Sequence, residues 1–124
     1  VIGSRYINGG GVTGWPWSRR CMSRGVNLYA RILLGLKPRD CSGAYRCCRV
    51  ELLSKLDFSQ FLSHGYSFME EFLWRLNKLN ARIAEIPIIF TDREHGTSKL
   101  NKREAIHSLW ILFKLGLQNW LRKN

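Results

Sequence analysis

The residues with the most evident chemistry are cationic. Arg93, His95 and Lys99 are spaced around Gly96 in the polar stretch Asp92-Arg93-Glu94-His95-Gly96-Thr97-Ser98-Lys99. Glycine admits backbone conformations that other residues resist, so the three side chains can converge on something small and anionic. A second group, Arg19 and Arg20, falls in the first turn of a helix that Pro16 is suited to open. Cations in a first turn run against the helix dipole, whereas backbone N–H groups there favour an anion. Their placement points to use rather than to stability. The chemistry shared by both groups is the capture of phosphate.

The carboxylates divide differently. Asp40, followed by Ser42-Gly43, has the spacing of an Asx turn. Ser67 with Glu70 three residues on reads as a capping box, in which Glu70 reaches back to the Ser67 backbone. Glu71 then has no cap to serve and is free for chemistry or for a buried arginine.

These residues must be positioned by a mixed set of elements. Ala84, Ile86, Ile88 and Phe90 recur with period two, which predicts a strand with one apolar face and Glu85 and Pro87 on the other. Pro87 cannot donate a ladder hydrogen bond, so the strand is expected at an edge or with a bulge there. Further strands are predicted near 1–5 and 45–49, and helices near 16–34, 50–56, 67–79 and 102–121. In the first long helix Trp17, Cys21, Leu28 and Ile32 supply an apolar side; Gly35 and Pro38 end it. In the third, Met69, Phe72, Leu73, Leu76 and Leu79 make the buried stripe. The last helix carries Ile106, Leu109, Trp110, Phe113, Leu117, Trp120 and Leu121 in one stripe, widened by Ile111, Leu112 and Leu115. Such a helix either lies in a membrane interface, with Trp at headgroup depth and Arg122 and Lys123 on anionic lipid, or packs on a preceding half of the protein.

Composition narrows the partners. With 20 Lys+Arg against 9 Asp+Glu the net charge is +11, which points to phosphate-bearing partners such as nucleic acid, anionic lipid or a phosphorylated substrate. No recognition-helix, zinc-finger or ribonucleoprotein pattern accompanies that charge. Cys21, Cys41, Cys47 and Cys48 form no Cys-x-x-Cys pair and are read as reduced and mostly core-filling. No run of about 20 uninterrupted apolar residues occurs. The opening Val-Ile-Gly-Ser-Arg reads as the interior of a strand, so the 124 residues are expected to be the C-terminal part of a longer protein.

An ordered set of segments resembles one family. Gly3-Ser4-Arg5-Tyr6, Gly9-Gly10, Gly14-Trp15-Pro16, Ser18-Arg19-Arg20, Ser23-Arg24-Gly25 and Asn27 open it. Asp40 to Arg46, Gly65 to Phe68 with Glu71, Glu85-Ile86-Pro87, Asp92-Arg93, Gly96, Ser98 and Lys99 continue it. Together they resemble the dolichyl-phosphate (polyprenyl-phosphate) mannosyltransferases, inverting family 2 glycosyltransferases. Met69 stands where the family often has Gln, and Thr97 where its loop more often has Glu.

The resemblance implies an α/β fold, the C-terminal half of a GT-A (Rossmann-like) domain over 1–101, followed by an amphipathic helix over 102–124. It implies an enzyme that moves mannose from GDP-mannose to polyprenyl phosphate at the cytoplasmic face of a membrane. Transfer of glucose or another sugar is the alternative within the family, and a basic lipid- or nucleic-acid-binding module the alternative outside it. By resemblance Arg5 and Arg19 hold the acceptor phosphate with help from Ser23, and Arg93 and Lys99 close a loop that includes His95. Asp40 and Glu71 are placed toward the donor sugar or the arginines. The metal, Mg2+ or Mn2+, would be held upstream, since no Asp-x-Asp occurs in this chain. A membrane-anchoring subunit is a further implied partner. Alone, these residues are expected neither to bind GDP-mannose well nor to turn over.

Overall fold

The computed structural model describes residues 1–63, 65, 67–91 and 102–123, with only the backbone of Lys102 and Lys123. The predicted site residues Arg93, His95 and Lys99 therefore lie outside the described residues. The architecture is mixed α/β with short parallel strands. Strand β1 (Ile2–Ser4) is fully buried. It pairs in parallel with a strand over Glu85–Pro87, Ile2 opposite Glu85 and Ser4 opposite Pro87. On its other side β1 makes a single antiparallel bridge, Ile2 to Arg46. The Gly3 N–H donates to the Tyr45 carbonyl and the Cys47 N–H to the Val1 carbonyl, at 2.8 and 2.9 Å. The strand expected at 45–49 is reduced to that bridge, because Arg49 already caps helix α2 (Val50–Ser54) and the chain must turn away.

A tight turn follows β1, with the Gly10 N–H on the Ile7 carbonyl at 2.9 Å. A Cβ on Gly10 would lie 2.5 Å from the Ser4 carbonyl oxygen, so only glycine allows this approach. Strand β2 (Gly11–Thr13), absent from the sequence reading, starts directly behind the glycines. The Glu85–Pro87 strand is β3, and β4 (Ile89–Thr91) pairs in parallel with β2. Between β3 and β4 the Ile88 N–H donates to the Ser4 carbonyl, and the Ile88 carbonyl accepts from Gly11, both at 3.0 Å. Ile88 thus hands the strand from β1 to β2 immediately after Pro87, which has no N–H to give. The apolar face of this strand is less covered than its period implies. Ala84, Ile86 and Phe90 are exposed and Ile88 is half-buried, because no described layer lies over it.

Helix α1 runs over Trp17–Leu34, with Pro16 as its N-cap and Gly35 closing it in the left-handed region at φ 66°. A 3₁₀ turn over Phe58–Gln60 precedes α3 (Phe68–Lys78), and α4 spans Lys102–Lys123. The main core joins Ile2, Ala30, Leu34, Leu36, Cys41, Leu73 and Trp74 to Ile111, Leu112 and Leu115. A second cluster places Phe61, Phe72 and Leu76 beneath Leu52, Leu53, Leu56 and Phe68.

Several packing expectations are corrected. In α1 the buried residues are Asn27, Ala30 and Leu34, while Trp17, Leu28 and Ile32 are exposed. In α4 the long stripe faces outward. Ile106, Leu109, Trp110, Phe113, Leu117, Trp120 and Leu121 are all exposed, and Ile111, Leu112 and Leu115 are buried. The cause is visible at Gly116, where a Cβ would stand 3.1 Å from Leu33 Cβ. The glycine lets α4 approach α1 closely and so selects the smaller apolar side for the contact. In α3, Phe72, Leu73 and Leu76 are buried as expected, but so are Glu70, Glu71 and Trp74, while Leu79 is exposed. All four cysteines are free, but only Cys41 fills the core; Cys21 and Cys47 are exposed and Cys48 is half-buried.

The orientation of α4 is testable with two truncations. Leu112 is 1 % exposed, and Leu112→Ala is expected to cost about 2–5 kcal/mol. Phe113→Ala, one residue on, is expected to cost under about 1 kcal/mol. Urea unfolding midpoints at constant m-value measure both, and the reverse ranking would mean the helix is rotated.

Candidate functional site

The site begins with an arginine fixed by a carboxylate. Asp40 Oδ2 accepts from the Arg5 backbone N–H at 3.0 Å and from Arg5 Nε at 2.8 Å. Its Oδ1 accepts from Arg5 Nη2 at 2.9 Å and from the Gly43 N–H at 3.0 Å. Arg5 Nη2 also donates to Ser42 Oγ at 3.0 Å. The Gly43 bond is the Asx turn the sequence suggested. The remaining bonds make Asp40 the anchor of Arg5, and leave its oxygens no room to act as a base. Burial alone would push both groups toward neutrality. The hydrogen bonds and attraction between them more than offset it, holding Arg5 above and Asp40 below their ordinary values.

Helix α1 is clamped to the same loop. Asn27 Oδ1 accepts from the Cys41 N–H at 2.6 Å, and its Nδ2 donates to the Ser23 carbonyl at 2.8 Å and to Ser42 Oγ at 3.2 Å. From the opposite side Arg46 donates to the carbonyls of Gly43, Cys41 and Met69, at 2.8, 2.6 and 2.9 Å. The loop 40–43 is thus gripped between two arginines. Cys41, within that grip, has its thiol pushed up to about 12 by burial and is inert.

Above the loop opens a cleft of about 1030 Å³ lined by Arg5, Trp15, Ser18, Arg19, Met22, Ser23 and Ser42 to Tyr45, with Ile88 to Thr91 on the strand side. Two guanidiniums lie against Trp15: Arg19 Cζ is 4.2 Å and Arg5 Cζ 5.4 Å from its ring centroids. Its ring meets Phe90 edge-on at 5.4 Å. Ser23 Oγ is hydrogen-bonded to the Tyr6 hydroxyl, and Arg24 lies over the Tyr6 ring at 5.8 Å. Arg5, Arg19 and Ser23 are therefore brought to one cleft. Arg20 is not; its Nη2 donates to the Val12 carbonyl at 2.9 Å. Trp15 carried no role in the sequence reading, although a tryptophan just before two first-turn arginines was an available signal.

Of its two expected roles Glu71 takes the second, the partner of an arginine, whereas the Ser67 half of the expected capping box does not form. Ser67 is the N-cap but makes no side-chain cap bond; its Oγ donates to Ser63 Oγ instead. Glu71 accepts from the Leu62 and Ser63 N–H groups at 3.0 and 2.8 Å and from Arg75 Nε and Nη2 at 3.1 and 3.0 Å. Burial would raise its pKa, but those bonds hold it below the ordinary range. Glu71 therefore pins the preceding loop to α3 and does not face the cleft. Glu70 is the carboxyl left over: it is 2 % exposed, and its Oε2 has no hydrogen-bond partner. Among the described residues no group of three or more His, Cys, Asp and Glu could hold a metal ion.

Two curated relatives match over most of the chain. It is 44 % identical over 109 residues to a polyprenol monophosphomannose synthase of Mycolicibacterium smegmatis. It is 42 % identical over 101 residues to an undecaprenyl-phosphate mannosyltransferase of Micrococcus luteus. Over the aligned residues the chain is similar to these mannosyltransferases of polyprenyl phosphates. These alignments cover 86 and 82 % of the chain but 41 and 42 % of the relatives, so it spans about two fifths of their length. No family profile matches, and no solved structure does.

Breaking the anchor has a definite cost. Asp40→Asn leaves a largely buried guanidinium uncompensated and is expected to lose about 3–5 kcal/mol of stability. Because the Asp40 pKa is depressed, its contribution is present above the ordinary carboxylate range and is lost as pH falls through the lowered value. Chemical denaturation of the variant from neutral to acidic pH should show a flatter acid limb than wild type. An unchanged curve would mean that the pair contributes nothing.

Proposed function

We propose that this chain forms the acceptor side of an enzyme that transfers mannose from GDP-mannose to polyprenyl phosphate. The observation that carries the reading is the pair of guanidiniums, Arg5 and Arg19, that both lie against the Trp15 ring in one cleft. Guanidinium forks match phosphate oxygens, and the relatives are named for polyprenol monophosphomannose and for undecaprenyl phosphate. The acceptor phosphate is already anionic at neutral pH. One of its oxygens attacks the anomeric carbon, the bond to GDP breaks with inversion, and GDP leaves with the electron pair. No strong base is needed, so catalysis rests on positioning and on cations that offset charge. In this reading Arg5 and Arg19 hold the acceptor, and Ser23 with Tyr6 closes the wall beside them. By the resemblance Arg93 and Lys99 close over the donor and acceptor phosphates, with His95 within that loop on the donor side.

The parallel pairs β1–β3 and β2–β4 are compatible with part of a GT-A domain, and we extend the proposal to that fold. The expected Mg2+ or Mn2+ finds no cluster of His, Cys, Asp and Glu among the described residues, and Asp40 and Glu71 are saturated by arginine and backbone donors; in this proposal its ligands lie outside the described residues.

The proposal also places the protein against the cytoplasmic face of a membrane, with or without an anchoring subunit. Its support is the outward stripe of α4, where Trp110, Phe113 and Trp120 are exposed, together with the exposed Trp17, Leu28 and Ile32 of the adjoining α1. No described helix is long and apolar enough to cross a membrane. An interfacial helix buries one such face and keeps its cations in water.

Two measurements test these statements. In the complete enzyme Arg5→Ala and Arg19→Ala should each lower kcat/KM for a polyprenyl phosphate by roughly tenfold to a thousandfold; unaffected kinetics would remove both residues from the site. Flotation with anionic vesicles should recover the wild-type chain and lose most of a Trp110→Ser, Phe113→Ser, Trp120→Ser variant. Equal recovery would exclude the α4 stripe as the contact.

A further inference from the structure

The mechanism leaves one buried titratable group unused. Glu70 sits in the first turn of α3, beside Met69, whose carbonyl Arg46 holds. Arg46 donates only to carbonyl oxygens in the bonds described above and neutralises no carboxylate within them. Arg5, on the other face of the 40–43 loop, is paired with Asp40. The charged groups acting most strongly on Glu70 are Arg46, just beyond that loop, Asp40 at its start, and Arg5 from the end of β1. Cys41 lies among them but stays neutral, with Arg31 of α1 beside it, and Arg103, Glu104 and His107 of α4 line a cavity with Ser67 and Met69 at the start of α3. The set that acts most strongly behind the cleft is thus two guanidiniums, one committed carboxylate and Glu70. With Glu70 protonated it carries one net positive charge, and with Glu70 ionised it carries none.

We propose that Glu70 is a positioning residue that sets the net charge behind the cleft, so that affinity for the acceptor phosphate falls as Glu70 ionises. It acts through Arg46 and the 40–43 loop on Arg5, and touches no substrate itself. The inference rests on the acceptor reading above and adds a residue to which that reading gives no role. Burial pushes Glu70 up to about 7 despite its own backbone N–H and Arg46, so the change in charge falls at neutral pH. Charges separated by protein rather than by water interact strongly enough to matter.

The test compares the chain with Glu70→Gln and Glu70→Met. The probe is farnesyl phosphate, titrated calorimetrically from about pH 6 to about pH 8. The second ionisation of the probe cancels in the ratio of wild-type to variant affinity. That ratio should be near one at the acid end, and wild type should bind roughly fivefold more weakly at the alkaline end. Glu70→Met, neutral and of similar length, should follow Glu70→Gln and serves if the amide is poorly tolerated in the core. Stability reports the same titration independently. The folded-state pKa is raised, so the contribution of Glu70 to stability is fully present below its unfolded value and is lost as pH rises through about 7. Both variants should lack that loss.

A merely structural role would give a ratio displaced equally at every pH. If Arg5→Ala abolishes binding while the ratio stays flat, the role of Glu70 is overturned and the acceptor reading stands. If wild type does not bind the probe, or Arg5→Ala binds as well as wild type, the acceptor reading fails and takes this proposal with it.

Discussion

The described structure hangs on the Arg5–Asp40 ion pair. Taking a guanidinium and a carboxylate out of water is costly, and the pair persists only because every strong bond Asp40 can make is made. Three of its four hydrogen bonds come from Arg5 and the fourth from the Gly43 N–H. This fixes the end of β1 against the loop that follows α1. Asn27 then fixes α1 to that loop, and Arg46 fixes the loop to the first turn of α3. One strand, two helices and the floor of the cleft share these few polar contacts. A guanidinium held this way keeps a defined orientation, which a phosphate-binding group requires.

That arrangement separates two uses of charge within a few residues. Asp40 and Glu71 are ionised, saturated and structural, each with an arginine and backbone donors. Glu70 is buried with its Oε2 unpartnered, so its charge state answers to its surroundings. Sequence alone gave the structural role to Glu70 and left Glu71 between chemistry and an arginine. A Ser three residues before a Glu at a helix start has a strong local explanation in the capping box, and the competing long-range demand came from the Leu62 and Ser63 amides. Those amides carry no side-chain signature, so nothing local marked Glu71 as their partner. The Asx turn at Asp40 was legible because its acceptor and donor lie three residues apart; the Arg5 partner, 35 residues away, was not.

The helices were legible in position and much less so in rotation. Boundaries follow local chemistry, Pro16 and Gly35 for α1, and these act over a turn or less. Which apolar face turns inward depends on what it meets. Both α1 and α4 carry more apolar surface than one contact can bury, and close approach at Gly116 decides in favour of Ile111, Leu112 and Leu115. The larger aromatic stripe is left outside. The strands show the same division. Pro87 announced a break, yet β2 lacks any period of its own and exists because Ile88 changes partner there. For the cleft, the residues quoted for the family resemblance converge on the page as Arg5, Arg19 and Ser23, whereas the aromatic platform of Trp15 needed coordinates.

The central claim is that Arg5 and Arg19, rather than the other described arginines of this basic chain, receive the phosphate of the acceptor. It is tested most directly by following arginine Nε–H signals of the isotopically labelled chain by NMR during titration with farnesyl phosphate. The account predicts that the Arg5 and Arg19 signals move together and saturate together, while Arg75, committed to Glu71 and the Gln60 carbonyl, stays in place. Shifts spread evenly over the exposed arginines, or confined to residues outside the cleft, would contradict it.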